Sequence, residues 1–182
     1  MARYTMDMVL QYAKVFPENA DLGDPKGNRV QKNIHEKGGQ YIVNAYFTDA
    51  DQIENLLADG LDPKPMKSDR IIDGDESYGI GKYMKIKRMI KDVKTFTGRD
   101  GKPFEKDYGG APGIVDLTKG PENKRLWSFS EDGSLGNGTK AKVQFEIYAN
   151  GAGVRLLNVG VTDHVPYEAN NAMSEDDVLF AV

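Results

Sequence analysis

Tyr4, Met6, Met8, Leu10 and Tyr12 alternate with Thr5, Asp7, Val9 and Gln11. This period of two predicts a strand from Tyr4 to Phe16. Met6, Val9, Leu10 and Ala13 also share a helical face, so a helix is the competing reading of the same stretch. Pro17 to Asn28 is polar and holds Gly23, Pro25 and Gly27, which predicts a loop. From Tyr41 to Phe47 a second strand is expected. Tyr41, Val43, Ala45 and Phe47 fall on one face, and Ile42, Asn44 and Tyr46 on the other.

A short helix is expected over Ala50 to Asp59. Asp49 can cap it, Gln52 stands where a capping box needs an amide, and Ile53, Leu56 and Leu57 form its apolar stripe. Gly60 is placed to stop it, and Pro63 and Pro65 forbid its continuation. Residues 62 to 81 read as a loop. Tyr83 to Phe96 reads as one basic strand, with Asp100-Gly101 as a tight turn after it. Tyr108 to Gly113 is a loop, Ile114-Val115 a short strand and Glu131 to Gly138 a polar turn. The clearest hairpin has Val143, Phe145 and Ile147 alternating with Lys142, Gln144 and Glu146. Asn150-Gly151 turns the chain, and Val154 to Val161 returns it. Short strands, one short helix and long loops predict a mainly β protein, an OB-fold-like small barrel. Periodicity alone leaves another barrel or a sandwich open. The expected division is a domain over residues 1–166 and a flexible acidic tail over 167–182.

Charge alters this picture through its distribution. The 182 residues carry a net charge of −4. No Lys or Arg follows Arg155, whereas Asp163, Glu168, Glu175, Asp176 and Asp177 do, so the first 155 residues sum to +1. Such asymmetry marks an interaction tail. There is no Cys, hence neither a disulfide framework nor a thiolate metal site. No apolar run is long enough to span a membrane and no secretory segment opens the sequence, so a cytoplasmic protein is expected.

The richest chemistry lies in Lys82 to Lys94, which holds six basic residues and one acid. In a strand Tyr83, Lys85, Lys87, Met89 and Lys91 project together, opposite Met84, Ile86, Arg88 and Ile90. A groove for single-stranded nucleic acid needs cations to follow phosphates and rings to stack bases. Lys82, Tyr83, Lys85, Lys87, Arg88, Lys91 and Lys94 are the candidates for that work. An edge strand guarded by lysines is the competing reading. Further candidate platforms are Tyr41, Tyr46, Tyr78, Tyr108, Trp127 beside Lys124 and Arg125, and Tyr148 on the polar face of its strand. Phe47 and Phe145 read as core. Asp69, Asp73, Asp75 and Glu76 lack the calcium-loop pattern, Gly79 to Lys82 lacks the phosphate-loop spacing, and neither His35 nor His164 belongs to a metal or nucleophile motif. No catalytic residue, metal or cofactor is therefore expected. In the last nine residues Glu175, Asp176 and Asp177 precede an apolar cluster with Phe180, a pattern that suits a basic pocket on a partner and equally the protein's own cationic groove, where it would compete with DNA.

The basic stretch Tyr83–Lys94, Gly113-Ile114-Val115-Asp116, Gly136–Val143 with its partner Gly153–Val161, and the acidic tail together resemble the podovirus-type bacteriophage single-stranded-DNA-binding proteins. The resemblance covers roughly the last 100 residues well and the first 80 loosely. It implies an OB-fold, groove binding of single strands without catalysis, and a place in phage DNA replication, recombination and repair in the host cytoplasm. It further implies tail contacts with DNA polymerase, helicase-primase or recombination proteins, with a homodimer among the expected assemblies. The sequence departs from the family in ending Phe180-Ala181-Val182 rather than on the aromatic residue. A phage structural or assembly β-barrel without nucleic-acid binding is the alternative reading.

Overall fold

A computed structural model of the chain describes residues 2–167. In chain order these form β1 (Ala2–Lys14), α1 (Arg29–Glu36), β2 (Gln40–Phe47), α2 (Ala50–Ala58), β3 (Ile72–Asp73), β4 (Lys82–Met89), β5 (Val93–Thr97), β6 (Pro103–Asp107), β7 (Gly113–Asp116), β8 (Arg125–Leu126), α3 (Phe129–Asp132), β9 (Thr139–Tyr148) and β10 (Gly153–Asp163). The protein is mainly β, as the alternating pattern predicts.

Long β1 lies between β2 and β9, antiparallel to both. β2 continues antiparallel to β4, and β9 to β10. β10 then meets β4 through a parallel bridge between Arg155 and Lys87. Five strands thus run round a ring closed at that bridge. β3 shares the edge of β4 near Tyr83, while β7 and β8 extend the sheet beyond β10. β5 and β6 form a separate two-stranded sheet. Inside the ring Met8, Leu10, Val43, Phe47, Met84, Ile86, Val143, Phe145, Leu156 and Val159 are buried. Full burial of such side chains stabilises by about 1.5–3 kcal/mol each.

Local chemistry explains the elements and the departures from expectation. α2 carries the expected capping box, with Asp49 accepting from the Asp51 amide and Gln52 reaching back. Leu56 is its buried residue, while Leu57 is exposed. β1 alternates as expected up to Gln11, where the register against β2 slips. Tyr12 is the inserted residue: its φ is 52°, its ring points outwards and its amide donates to Asn137 Oδ1. Ala13 and Val15 then resume the inward face.

Two helices join the single expected one. α1 is polar apart from Val30 and Ile34, so it shows almost no apolar stripe; Asn28 caps it by accepting from the Gln31 amide. α3 is one turn capped by Ser128. The basic stretch is two strands rather than one. After Met89 the Ile90 and Lys91 amides donate to the Gly39 and Lys37 carbonyls, which breaks the ladder before β5. Among the described residues no helix is long and apolar enough to cross a membrane. The tail residues Glu175, Asp176, Asp177 and Phe180 lie outside the described residues.

Candidate nucleic-acid interface

β4 alternates as a half-buried strand must. Met84 and Ile86 enter the core, whereas Lys85 and Lys87 point outwards and Tyr83 is half-buried on the same outer face. Across the ladder their partners on β2 are Tyr46, Asn44 and Ile42. This outer face is the floor of a groove of about 470 Å³. Gln40 and Ile42 of β2 and Lys85 and Lys87 of β4 form the floor; Gln31 and Ile34 of α1 and the segment Pro65 to Ile72 form the walls.

The groove is cationic at its floor. Lys85 and Lys87 make no ion pair among the described residues. Desolvation, and then the positive charges of Arg70 and Lys85, push the Lys87 amine below the usual lysine range. Two carboxylates, Asp21 and Asp69, also line the groove. Asp21 accepts from Gln40 Nε2, and Asp69 lies 3.6 Å from the Lys64 amine. Arg70 donates to the Ala152 carbonyl, and desolvation lowers its pKa too. Gln40 Oε1 and Arg70 Nε are buried without a hydrogen-bond partner among the described residues. Both residues line this one groove, and buried polar atoms of this kind call for a polar ligand or water.

At the closing bridge Lys87, on the groove floor, is the strand partner of Arg155. Arg155 is buried and donates to Glu146, and its guanidinium lies 4.8 Å from the Tyr108 ring and 4.2 Å from the Tyr148 ring. Such cation–ring contacts are attractive. Tyr148 rests on Gly153, where a Cβ would collide with the ring. It is half-buried, with part of its surface lining a second depression beside Gly60 and Asn150.

The remaining candidates scatter. Tyr46 is fully buried, packed against Tyr78 and Tyr83, and its hydroxyl accepts from the Asp75 amide and donates to Gln11; its ring has no free face. Arg88 follows the parity of the core residues and reaches the end of the ring. There its guanidinium donates to the Tyr108 and Gly109 carbonyls. Lys82 pairs with Asp73 at 2.6 Å. Lys91 lies beyond β4 in the bend, and Lys94 belongs to β5. Trp127 sits on the β7–β8 extension. Its Nε1 donates to the Gly133 carbonyl, its ring packs edge-on against His164, and it borders the core. Neighbouring Arg125 is taken by Asp116 and Asp132, which leaves Trp127 an anchor rather than half of a cation–ring site. Tyr41 is buried at the inner face.

The acidic loop likewise resolves into local contacts. Asp73 pairs with Lys82, and Asp75 accepts from the Ser77 amide and hydroxyl. Sequence reasoning missed Arg70, because its loop carries no period, and Arg155, because a lone Arg among apolar residues gives no pattern. It also missed Phe96 and Phe104, which the assumption of one long strand hid. No family model matches this chain, and no curated protein matches it.

Proposed function

We propose that this chain binds single-stranded DNA without reading its sequence and without catalysis, in phage DNA replication or recombination. The observation that carries the reading is the pair Lys85 and Lys87. They stand side by side without an ion-pair partner among the described residues, on the floor of a groove whose Lys87 is bridged through the sheet to Arg155 and its two rings. Cations along a groove with rings at its end are the ingredients of sequence-tolerant single-strand binding. The ring order β1-β2-β4-β10-β9, closed by a parallel bridge, supports an OB-type barrel. In that architecture the face built on the second and third barrel strands, here β2 and β4, binds oligonucleotides. Glu175, Asp176, Asp177 and Phe180 complete the proposal as a hook for replication proteins.

Replacing Lys85 and Lys87 with Ala tests it. Affinity for an oligothymidine, measured by fluorescence anisotropy across a salt series, should fall. The slope of log affinity against log salt should flatten by roughly 0.7 for each phosphate that is no longer neutralised. A wild-type protein that binds no oligothymidine would refute the function and favour the structural β-barrel reading. Binding with an unchanged slope would move the phosphate track off β4.

A further inference from the structure

All ten strand residues of β5 and β6 are exposed, and the hairpin pairs only with itself. Isolated two-stranded hairpins are marginal in water, so its side chains need a reason beyond packing. Its base is tied down. Asp107 accepts from the Asp92 and Gly109 amides, and Arg88 holds the carbonyls of Tyr108 and Gly109. Lys94 lies opposite Lys106 and Phe96 opposite Phe104, two rungs that share one face.

That face is costly in the free protein. Like charges directly opposite one another repel. Among the described residues, Lys94 has only Asp92 as a carboxylate neighbour, at 4.0 Å, and Asp92 is held by Lys37 at 2.7 Å. Lys106 has no ion pair among the described residues, and its amine lies 4.9 Å over the Tyr108 ring. Phe96 and Phe104 stack with centroids 5.6 Å apart, yet remain 40% and 50% exposed. One cation without an ion pair and one whose carboxylate neighbour is shared with Lys37, beside two exposed stacked rings, match an anionic backbone with a flat base attached. A chain of contacts also links the face to the groove. Phe96 meets Tyr108, Tyr108 meets Arg155, and Arg155 bridges to Lys87.

We infer that the β5–β6 hairpin is a stacking arm for a single strand leaving the groove: a base lies on the Phe96–Phe104 pair and a phosphate sits between Lys94 and Lys106. This rests on the single-strand reading of the groove and extends it to a second, separable subsite. The rings of the arm contribute stacking, which releases no counterions, while its lysines, like those of the groove, contribute charge.

The test is Phe96→Ala with Phe104→Ala, set beside Lys85→Ala with Lys87→Ala, on an oligothymidine long enough to span groove and hairpin. The phenylalanine variant should bind roughly tenfold or more weakly with an unchanged salt slope, since stacking is sequence-tolerant and strong. Lys94→Ala with Lys106→Ala should flatten the slope by roughly 0.7 per phosphate. As a second readout, Phe104→Trp should add a fluorescence signal, beyond that of Trp127, which oligothymidine quenches. Wild-type affinity in the phenylalanine variant, with no quenching of the new Trp, overturns the arm and leaves the groove standing. If that variant keeps its affinity but no longer forms a concentration-dependent dimer in sedimentation, the arm is overturned and the hairpin joins copies of this chain. Absence of binding by the wild type overturns both readings.

Discussion

The Lys87 ammonium is disfavoured where it stands, by desolvation first and then by Arg70 and Lys85, while Asp21 and Asp69 line the same groove. Its lowered pKa means that the free protein gives up this proton more readily than a lysine in free solution does. A bound phosphate acts in the opposite sense, because a nearby anion favours the charged amine. Binding therefore takes up protons, and affinity should fall as pH rises through the lowered free-protein pKa, below the usual lysine range. At constant salt, anisotropy titrations from neutral to alkaline pH should show that fall, and Lys87→Arg should flatten it, because a guanidinium stays charged throughout. A wild-type affinity indifferent to alkaline pH would remove Lys87 from the contact. Arg155 behaves differently. Its charge is already shared with Glu146 and two rings, so it is a paired, buried group rather than a free cation.

Among the elements, the turn from β9 to β10 is the tightest junction near the site. Gly151 has φ +94° and is buried, with no room for a side chain. A Cβ there would run into the Gly60 carbonyl oxygen, while its own carbonyl accepts from the Asp62 amide. Gly151→Ala should destabilise the protein by about 1–3 kcal/mol through backbone strain and the clash. Thermal unfolding followed by circular dichroism checks it, and a melting temperature equal to wild type would show that the two loops yield freely. This turn was legible as Asn150-Gly151, as were β2, the box that starts α2 and the inward Met84 and Ile86, because each depends on short-range rules. The bulge at Tyr12 was not, since an inserted residue leaves the written alternation intact while reversing what points inwards. The break between β4 and β5 depends on carbonyls of Lys37 and Gly39, far away in sequence. α1 lacked an apolar stripe because it covers the groove rather than a core. At the site, Lys85 and Lys87 were legible by parity. Tyr46 was misleading for the same reason, because the loop that buries it has no period.

At the scale of the whole molecule, a near-neutral body with a local cationic path carries an acidic end. The rings of the path need unpaired bases, whereas a duplex offers the same phosphates without free faces. On the proposed reading, selectivity for single strands resides in the rings and attraction in the charges. Net charge works against attraction, since the chain totals −4 and a polyanion approaches it through that field. Removing Ser174 to Val182 deletes three acids and no cation. The truncated protein should bind oligothymidine more tightly at low salt. The Debye length is about 30 Å at 0.01 M and about 10 Å at 0.1 M, so the gain should shrink as salt rises. Affinities of full-length and truncated protein at those two salt concentrations decide the matter. Equal or weaker binding by the truncated protein at low salt would mean that Glu175, Asp176 and Asp177 do not oppose DNA, leaving them only the role of a hook for partners.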